Sequence, residues 1–222
     1  MNSMKKGLIL VLFALISVVS YSQVSWNAKV GMNMSNFTGD AFKDSKMRVG
    51  FNVGVGMEYQ FSEMWSIQPS LMLTQKGTKV EVNEEDVTAK VKLNPMYLEL
   101  PIMAAARFAI ADNQNIVVKA GPYLAFGISG KMKTSLSGDL EGYSEEDILD
   151  YFDLPKDMDL YKDINDGGLG MKRFDFGLGV GVAYEINKFF VDLTGEFGLT
   201  KLGDGEGAPK NLNFSIGVGY KF

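Results

Sequence analysis

The chain has 222 residues, contains neither cysteine nor histidine, and carries a formal net charge of −5. This composition excludes disulfides, thiol chemistry, imidazole bases and histidine metal sites. The length suits a single domain. No basic excess is available for binding nucleic acid, so we expect no nucleic-acid partner.

The first 22 residues have the pattern of a secretory signal peptide. Lys5 and Lys6 precede an apolar run at 7–19, and Ser20 and Ser22 are small residues at the positions that a signal peptidase requires. The sequence therefore predicts a signal peptide at 1–22 and a mature domain at 23–222. The alternative is an N-terminal membrane anchor, but this run is shorter than the roughly 20 residues of a spanning helix. No longer apolar run follows it.

Eight segments of the mature domain alternate between apolar and polar residues. In the last one, Leu212, Phe214 and Ile216 are separated by Asn213 and Ser215. A period of two predicts a β-strand with one face in an apolar medium. These segments are long enough for the roughly 9–11 residues of a tilted strand that crosses a bilayer. They are 25–35, 49–61, 65–76, 90–108, 116–130, 173–186, 189–199 and 211–222.

The connections between these segments alternate in length. Three are short and follow the second, fourth and sixth segments, whereas the connections at 36–48, 77–89, 131–172 and 200–210 are long. Short periplasmic turns and long outer loops are typical of outer-membrane barrels. The sequence thus predicts an all-β fold, an eight-stranded antiparallel up-and-down transmembrane β-barrel.

The polar face of the strands combines glycines with charges of both signs. An eight-stranded barrel has an interior just wide enough for packed side chains, and the many large apolar residues would not fit inside it. We therefore expect the apolar face to meet lipid and the charges to pair across a plugged lumen. A lipocalin-like soluble binder with an apolar interior is the alternative. The predicted lumen network comprises Glu58, Glu99, Arg107, Lys119, Asp175, Glu185, Asp192 and Glu196.

Aromatic residues and prolines refine this prediction. Pro69, Pro101 and Pro122 lie within strands, and since proline cannot donate to a ladder, each is expected to mark a bulge. Aromatic residues near the short turns are expected to form the periplasmic girdle, although strands favour such residues in any case. They are Tyr59, Phe61, Trp65, Phe108, Tyr184, Phe189 and Tyr220.

Two features are candidates for chemistry. Asp192 and Glu196 lie on one strand face and could act as an acid–base pair, but ion pairing with Lys119 or Arg107 is favoured.

The second candidate for chemistry is the connection at 131–172. Residues 131–170 include four lysines and eleven acidic residues. A short helix is expected at 144–152, capped by Ser144. The loop is interpreted as a solvated acidic lid, with a partner surface or a cation site as alternatives. The candidate cation ligands are Asp157, Asp159, Asp163 and Asp166.

Several stretches resemble the PorT-like outer-membrane β-barrel family of Gram-negative bacteria, and the likeness extends over the mature domain. The resemblance implies an eight-stranded barrel inserted by the barrel-assembly machinery, which reads a terminal aromatic strand with Phe214, Ile216, Val218, Tyr220 and Phe222. It implies no reaction, and some relatives serve a protein-secretion apparatus. The stretches are Tyr97-Leu-Glu-Leu-Pro-Ile102, Gly121-Pro-Tyr-Leu-Ala-Phe-Gly127, Phe174-Asp-Phe-Gly-Leu-Gly-Val-Gly-Val182, Glu196-Phe-Gly-Leu-Thr200 and Gly217-Val-Gly-Tyr-Lys-Phe222.

Together these patterns predict a non-enzymatic protein of the cell outer membrane, without a cofactor. Its expected partners are outer-membrane lipid, the barrel-assembly machinery during insertion, and a protein partner at the outer loops. An accessory role in protein secretion is an alternative, and a barrel enzyme is a further one.

Overall fold

The computed structural model describes residues 23–39, 42, 45–84, 87–138, 144–151, 155–205 and 207–222. The predicted signal peptide lies outside these residues and stays a prediction. The described residues form ten antiparallel strands and one α-helix. They are β1 (Val24–Thr38), β2 (Lys46–Gln60), β3 (Trp65–Gln75), β4 (Thr78–Glu84), β5 (Val87–Ala111), β6 (Gln114–Gly138), α1 (Glu145–Tyr151), β7 (Asp157–Asp159), β8 (Phe174–Ile186), β9 (Phe189–Gly198) and β10 (Lys210–Lys221).

Eight of the strands close into a ring. Its order is β1, β2, β3, β5, β6, β8, β9 and β10, and β10 pairs back onto β1 from Asn27↔Lys221 to Thr38↔Lys210. Every neighbouring pair in the ring is antiparallel. The predicted eight-stranded up-and-down barrel is confirmed.

The remaining strands extend the wall beyond the ring at the end with the long connections. The prediction of a loop over 77–89 was wrong, because β4 pairs with β5 in the same register as β3, from Thr78↔Leu93 onward. Likewise β6 continues past the predicted end at 130 to Gly138, and short β7 adds to its edge. The alternation of polar and apolar residues continues in Lys79-Val-Glu-Val82 and favours the β4 strand.

The two faces of the wall differ in burial as the alternation predicts. Large apolar side chains such as Val30, Phe51 and Ile216 point outward and are exposed, whereas Asn33 and Asp175 point inward and are buried. Such an extensive apolar exterior is unsuited to water, and a closed ring satisfies its backbone within lipid. The lipocalin-like alternative with an apolar interior is thereby contradicted.

Tight turns connect the strands at the opposite end of the ring. Two residues, 112–113, link β5 to β6, and 187–188 link β8 to β9. Asn113 and Asn187 adopt φ values of 58° and 54°, and asparagine tolerates this left-handed region better than most residues. These turns face the periplasm.

The prolines do not shift the strand register. Pro69↔Ile102, Pro101↔Tyr123 and Pro122↔Leu178 keep the register of their ladders, although the pairing is interrupted at 70–71 beside Pro69 and at 102–103 beside Pro101. The register shifts between β5 and β6 occur instead at Met96/Tyr97 and at Ala109/Ala111. The prediction of proline bulges was wrong, because a proline can leave one bond unmade without an extra residue entering the strand.

Aromatic side chains surround the barrel near the short turns. Phe61, Trp65 and Phe189 are exposed on the outer face there. Phe189 and Tyr220 pack edge to face with ring centroids 5.1 Å apart. This position suits the amphipathic rings of a headgroup-level girdle.

Candidate functional site: the charged lumen and the outer rim

The lumen near the periplasmic end holds two cations and two carboxylates. Arg107 Nη2 donates to Glu58 Oε1 and Oε2 at 2.8 and 3.0 Å, and its Nε donates to Glu185 at 3.2 Å. Lys221 Nζ lies 2.8 Å from Glu58 and 2.5 Å from Glu185. Strands β2, β5, β8 and β10 supply these side chains, so the cluster joins opposite walls of the ring.

A second cluster occupies the middle of the lumen. Asp192 is fully buried and pairs with Lys29 at 2.6 Å and with Lys119. Thr194 Oγ1 donates to the same carboxylate at 3.1 Å. Here two cations meet one carboxylate.

The third cluster lies toward the outer mouth and is centred on Lys76. Its Nζ lies 2.5 Å from Glu99 and 3.0 Å from Glu196, and Asn213 Nδ2 donates to Glu196 at 2.9 Å. The ammonium also lies 4.3 Å from the ring centroid of Tyr123, within cation–π range. One cation meets two carboxylates, which complements the middle cluster.

Asp175 is held by neutral donors. Tyr123 Oη donates to it at 3.0 Å, Asn211 Nδ2 at 2.8 Å and Thr200 Oγ1 at 2.8 Å. Three donors on one buried carboxylate replace the hydration that burial removes.

Glycines on the inner face make room for the larger lumen side chains. A Cβ built on Gly219 would lie 2.1 Å from the Phe190 ring, and one on Gly177 would lie 2.6 Å from the Tyr123 ring. One cavity among the lumen side chains has a volume of about 70 Å³.

All eight residues of the predicted lumen network lie on the inner face, but the expected partners were only partly right. Asp192 pairs with Lys119, whereas Glu196 pairs with Lys76, and Arg107 pairs with neither of them. Three lumen lysines were missed, although their places in the alternation of strands one, three and eight put them on the polar face: Lys29, Lys76 and Lys221. Asp192 and Glu196 thus belong to separate clusters.

Part of the connection between β6 and β8, at Leu160 and Tyr161, packs against Gly127 and Gly130 at the outer end of the lumen. Leu160 is fully buried and its N–H donates to Gly130 O at 3.1 Å. Helix α1 begins with the predicted cap: Asp147 N donates to Ser144 Oγ at 3.2 Å and Ser144 N to Asp147 Oδ2 at 3.1 Å. The expected helix is confirmed over Glu145–Tyr151, and Phe152 lies outside the described residues.

Several carboxyl groups outside the membrane-spanning segments are stabilised in the charged form. Hydrogen bonds from Lys46 and Lys79 lower the pKa of Glu81 to about 2. A hydrogen bond from Lys156 lowers the pKa of Glu146, and one from Lys172 lowers that of Asp204. These ion pairs connect β2 to β4, helix α1 to the segment that follows it, and the segment just before β8 to the connection between β9 and β10.

In the part of the chain that the structure describes, no group of acidic residues could hold a metal ion. The candidate ligands Asp157, Asp159, Asp163 and Asp166 are not brought together as such a site. None of the described helices has the length and hydrophobicity that a membrane-spanning helix requires.

A closed ring with an apolar exterior and a charged interior defines an integral outer-membrane β-barrel protein. The model of the outer membrane protein beta-barrel domain family matches residues 17–204, and the chain belongs to that family. The protein is thereby placed in the cell outer membrane. A comparison with curated proteins gives no match.

Several solved structures are similar to this chain. Ail, the attachment invasion locus protein of Yersinia pestis, was solved in complex with the heparin analogue sucrose octasulfate; it is 19% identical, with a TM-score of 0.43, over 90% of this chain and 99% of Ail. Neisserial surface protein A is 13% identical, with a TM-score of 0.43, over 90% and 98% of the chains. OprG of Pseudomonas aeruginosa is 11% identical, with a TM-score of 0.38, over 89% and 95%.

Proposed function

We propose that this protein is a non-conducting, non-enzymatic outer-membrane barrel whose function lies in its outer loops. The ion pairs that cross the lumen carry this proposal. Lys76, Glu99 and Asp192 are buried, and opening a path for ions would separate them from their partners. Separating buried partners is strongly unfavourable, so the clusters act as a plug.

Conductance in a planar lipid bilayer tests the plug. The folded protein is expected to give no stable unitary conductance, while a general porin in the same bilayer provides the positive control. Stable single channels from the wild-type protein would overturn the proposal. Swelling of protein-containing vesicles in small sugars is an independent readout and should stay at the level of empty vesicles.

The outer connection between β6 and β8 supports contact with a protein partner. Tyr151 is 85% exposed and Ile164 is 75% exposed, although both are apolar over most of their surface. Exposed acids, including Glu146 and Asp163, lie near them in the sequence. Apolar side chains within an acidic surface suit a partner with a basic rim and an apolar centre.

Site-specific photocrosslinking in intact cells tests this contact. A photoreactive residue at Ile164 is expected to form a defined protein adduct, and the matched control is the same residue at Lys188 in a periplasmic turn. An Ile164 adduct profile identical to that of Lys188, or adducts with lipid alone, would contradict a loop partner.

The outward residues of β10 are proposed as the assembly signal. Phe214, Ile216 and Val218 are exposed on the lipid face, together with Tyr220 and Phe222. Phe222→Ala should slow insertion by the barrel-assembly machinery while leaving spontaneous folding in detergent unchanged. Equal rates for both proteins with the machinery present would contradict this role.

The narrower kinship with PorT-like barrels is likewise a proposal. The motifs that support it lie mainly in the strands of the barrel. Similar strands identify neither a secretion partner nor a reaction.

The ion pairs of Asp192 with Lys29 and Lys119 support a structural role for this carboxylate rather than acid–base chemistry.

A further inference from the structure

Four lysines lie directly opposite one another on neighbouring strands of the outer extension. The pairs are Lys46↔Lys79, Lys79↔Lys92 and Lys92↔Lys133 on strands β2, β4, β5 and β6. Like charges in directly opposed positions destabilise a sheet. A row of this kind therefore favours the binding of a compensating anion.

The residues that the structure describes supply only part of that compensation. Glu81 contacts Lys46 at 2.5 Å and Lys79 at 3.2 Å. Asp157 lies opposite Lys133 at the far end of the row, on β7. Among the described residues, no ion pair is formed by Lys92 or Lys133.

One extra residue in β6 turns its lysines to the outside. Below this point the odd-numbered residues of β6, such as Tyr123, face the lumen. The register then shifts, since Tyr97 pairs with Gly127 but Met96 pairs with Ser129. After the bulge the odd-numbered Lys131 and Lys133 are on the outer face and exposed. A bulge that re-aims side chains is commonly a functional feature.

The lysines lie immediately beyond the lipid-facing surface on the outer side of the membrane. Along β5 the outward positions change from Leu98 and Met96 to Asn94 and Lys92. An open concavity of about 760 Å³ is lined both by the apolar, lipid-facing surface and by the basic surface beyond it. Its lining includes Met47, Val49 and Met96 together with Arg48, Lys79, Lys92, Lys131 and Lys133.

We propose that this concavity binds the phosphorylated headgroup of an outer-leaflet lipid. The cations would bind phosphate, and the adjoining methionines and valine would contact the first part of the acyl chains. A soluble phosphate would use the cations alone, so the continuity with the lipid-facing surface favours a lipid. Asp159 lies opposite Lys131 on β7, but its Oδ1 accepts the N–H groups of Tyr161 and Lys162, and no ion pair joins the Asp159 and Lys131 side chains.

The test uses the full-length mature protein in nanodiscs of phosphatidylcholine containing one lipid in ten as diphosphorylated lipid A. Native mass spectrometry counts the lipid A molecules that stay bound to the ejected protein. The test variant is Lys92→Gln/Lys131→Gln/Lys133→Gln. The matched control, Lys156→Gln/Lys162→Gln/Lys201→Gln, removes the same charge from exposed outer loops.

Wild type and the matched control are expected to retain lipid A. The test variant is expected to bind it on the order of a hundredfold more weakly, because each of the three surface lysines contributes roughly fivefold to the affinity. High salt should reduce retention by the wild type. Equal retention by all three proteins, or equal loss in the matched control, would overturn the site. Heat-modifiable migration on gels establishes that each variant is folded.

Competition distinguishes the lipid from other anions. Inorganic pyrophosphate or a soluble sulfated polysaccharide, at the phosphate or sulfate concentration of the lipid A, is expected to displace little of it. Displacement as complete as that by added lipid A would show that the cations select a soluble anion, and the lipid would be rejected. The bilayer conductance of the protein is a separate measurement, which this outcome leaves unaffected.

Discussion

Lys76 Nζ lies 2.5 Å from the Glu99 carboxylate, with side-chain exposures of 0% and 3%. The ammonium enters from the outer end of β3, and Glu99 projects from β5. Lys76 also pairs with Glu196 on β9, so the cluster connects β3, β5 and β9 across the lumen. An unpaired charge in this buried interior would be strongly unfavourable.

Lys76→Met should therefore destabilise the barrel by about 3–5 kcal/mol, because it leaves two carboxylates buried without their cation. Urea unfolding in lipid vesicles, followed by tryptophan fluorescence, measures the loss. Adding Glu99→Gln to Lys76→Met should restore about 1–3 kcal/mol, since one stranded charge is removed. A Lys76→Met protein as stable as wild type would show that the cluster contributes nothing to stability.

Arg107→Lys should cost about 1.5–3 kcal/mol despite the conserved charge, because lysine cannot reproduce the forked contacts with Glu58 and Glu185. The same unfolding experiment applies. Lys162→Arg, at an exposed loop position, is the control and should leave the midpoint unchanged. An equally small effect at both positions would argue against the forked geometry.

Gly219→Ala should destabilise the barrel by about 1–3 kcal/mol through overpacking. The new methyl group would meet the Phe190 ring at 2.1 Å and Ala28 O at 2.7 Å, whereas a Cβ on Gly217 has no contact below 3.1 Å. Gly217→Ala is thus the milder control. Phe190→Leu should be less harmful in the Gly219→Ala background than in wild type; strictly additive effects would contradict the steric explanation.

The ion pairs of Glu81 should make the outer extension sensitive to acid. Its pKa is about 2 in the folded protein against an ordinary value of 4.5. Because the folded value is the lower one, this stabilisation is complete above the ordinary value and is lost as the pH falls through about 2. The protection factors of the β4 amides, which are their exchange rates corrected for the intrinsic pH dependence, should fall over that interval, and Glu81→Gln should abolish this fall. An NMR titration midpoint of the Glu81 carboxyl near its ordinary value would contradict the pairing.

Alternation and connection length made the ring predictable, because a closed barrel in lipid imposes both on every strand. The β4 strand was missed because Gly77, at φ 138°, interrupts the pattern just where β3 passes into it. The bulge in β6 leaves no comparable signal: Ile128 and Ser129 would suit either register. Only the paired strands reveal that Lys131 and Lys133 face outward.

Lumen residues were predictable by face but not by partner. The alternation identifies Glu196 and Arg107 as inward, yet the stagger of the strands decides their relative depth, so Glu196 meets Lys76 while Arg107 meets Glu58. The same applies to Lys221. Its place in β10 predicts that its side chain faces the lumen, but not that it pairs with Glu58 and Glu185.

The hydrogen bonds that close the ring join β1 to β10, the first described strand to the last. Until β10 arrives, the open side of β1 has N–H and C=O groups that hydrocarbon cannot satisfy. Partial barrels should accordingly be excluded from the bilayer core, and entry into the membrane should coincide with the final pairing as one cooperative step.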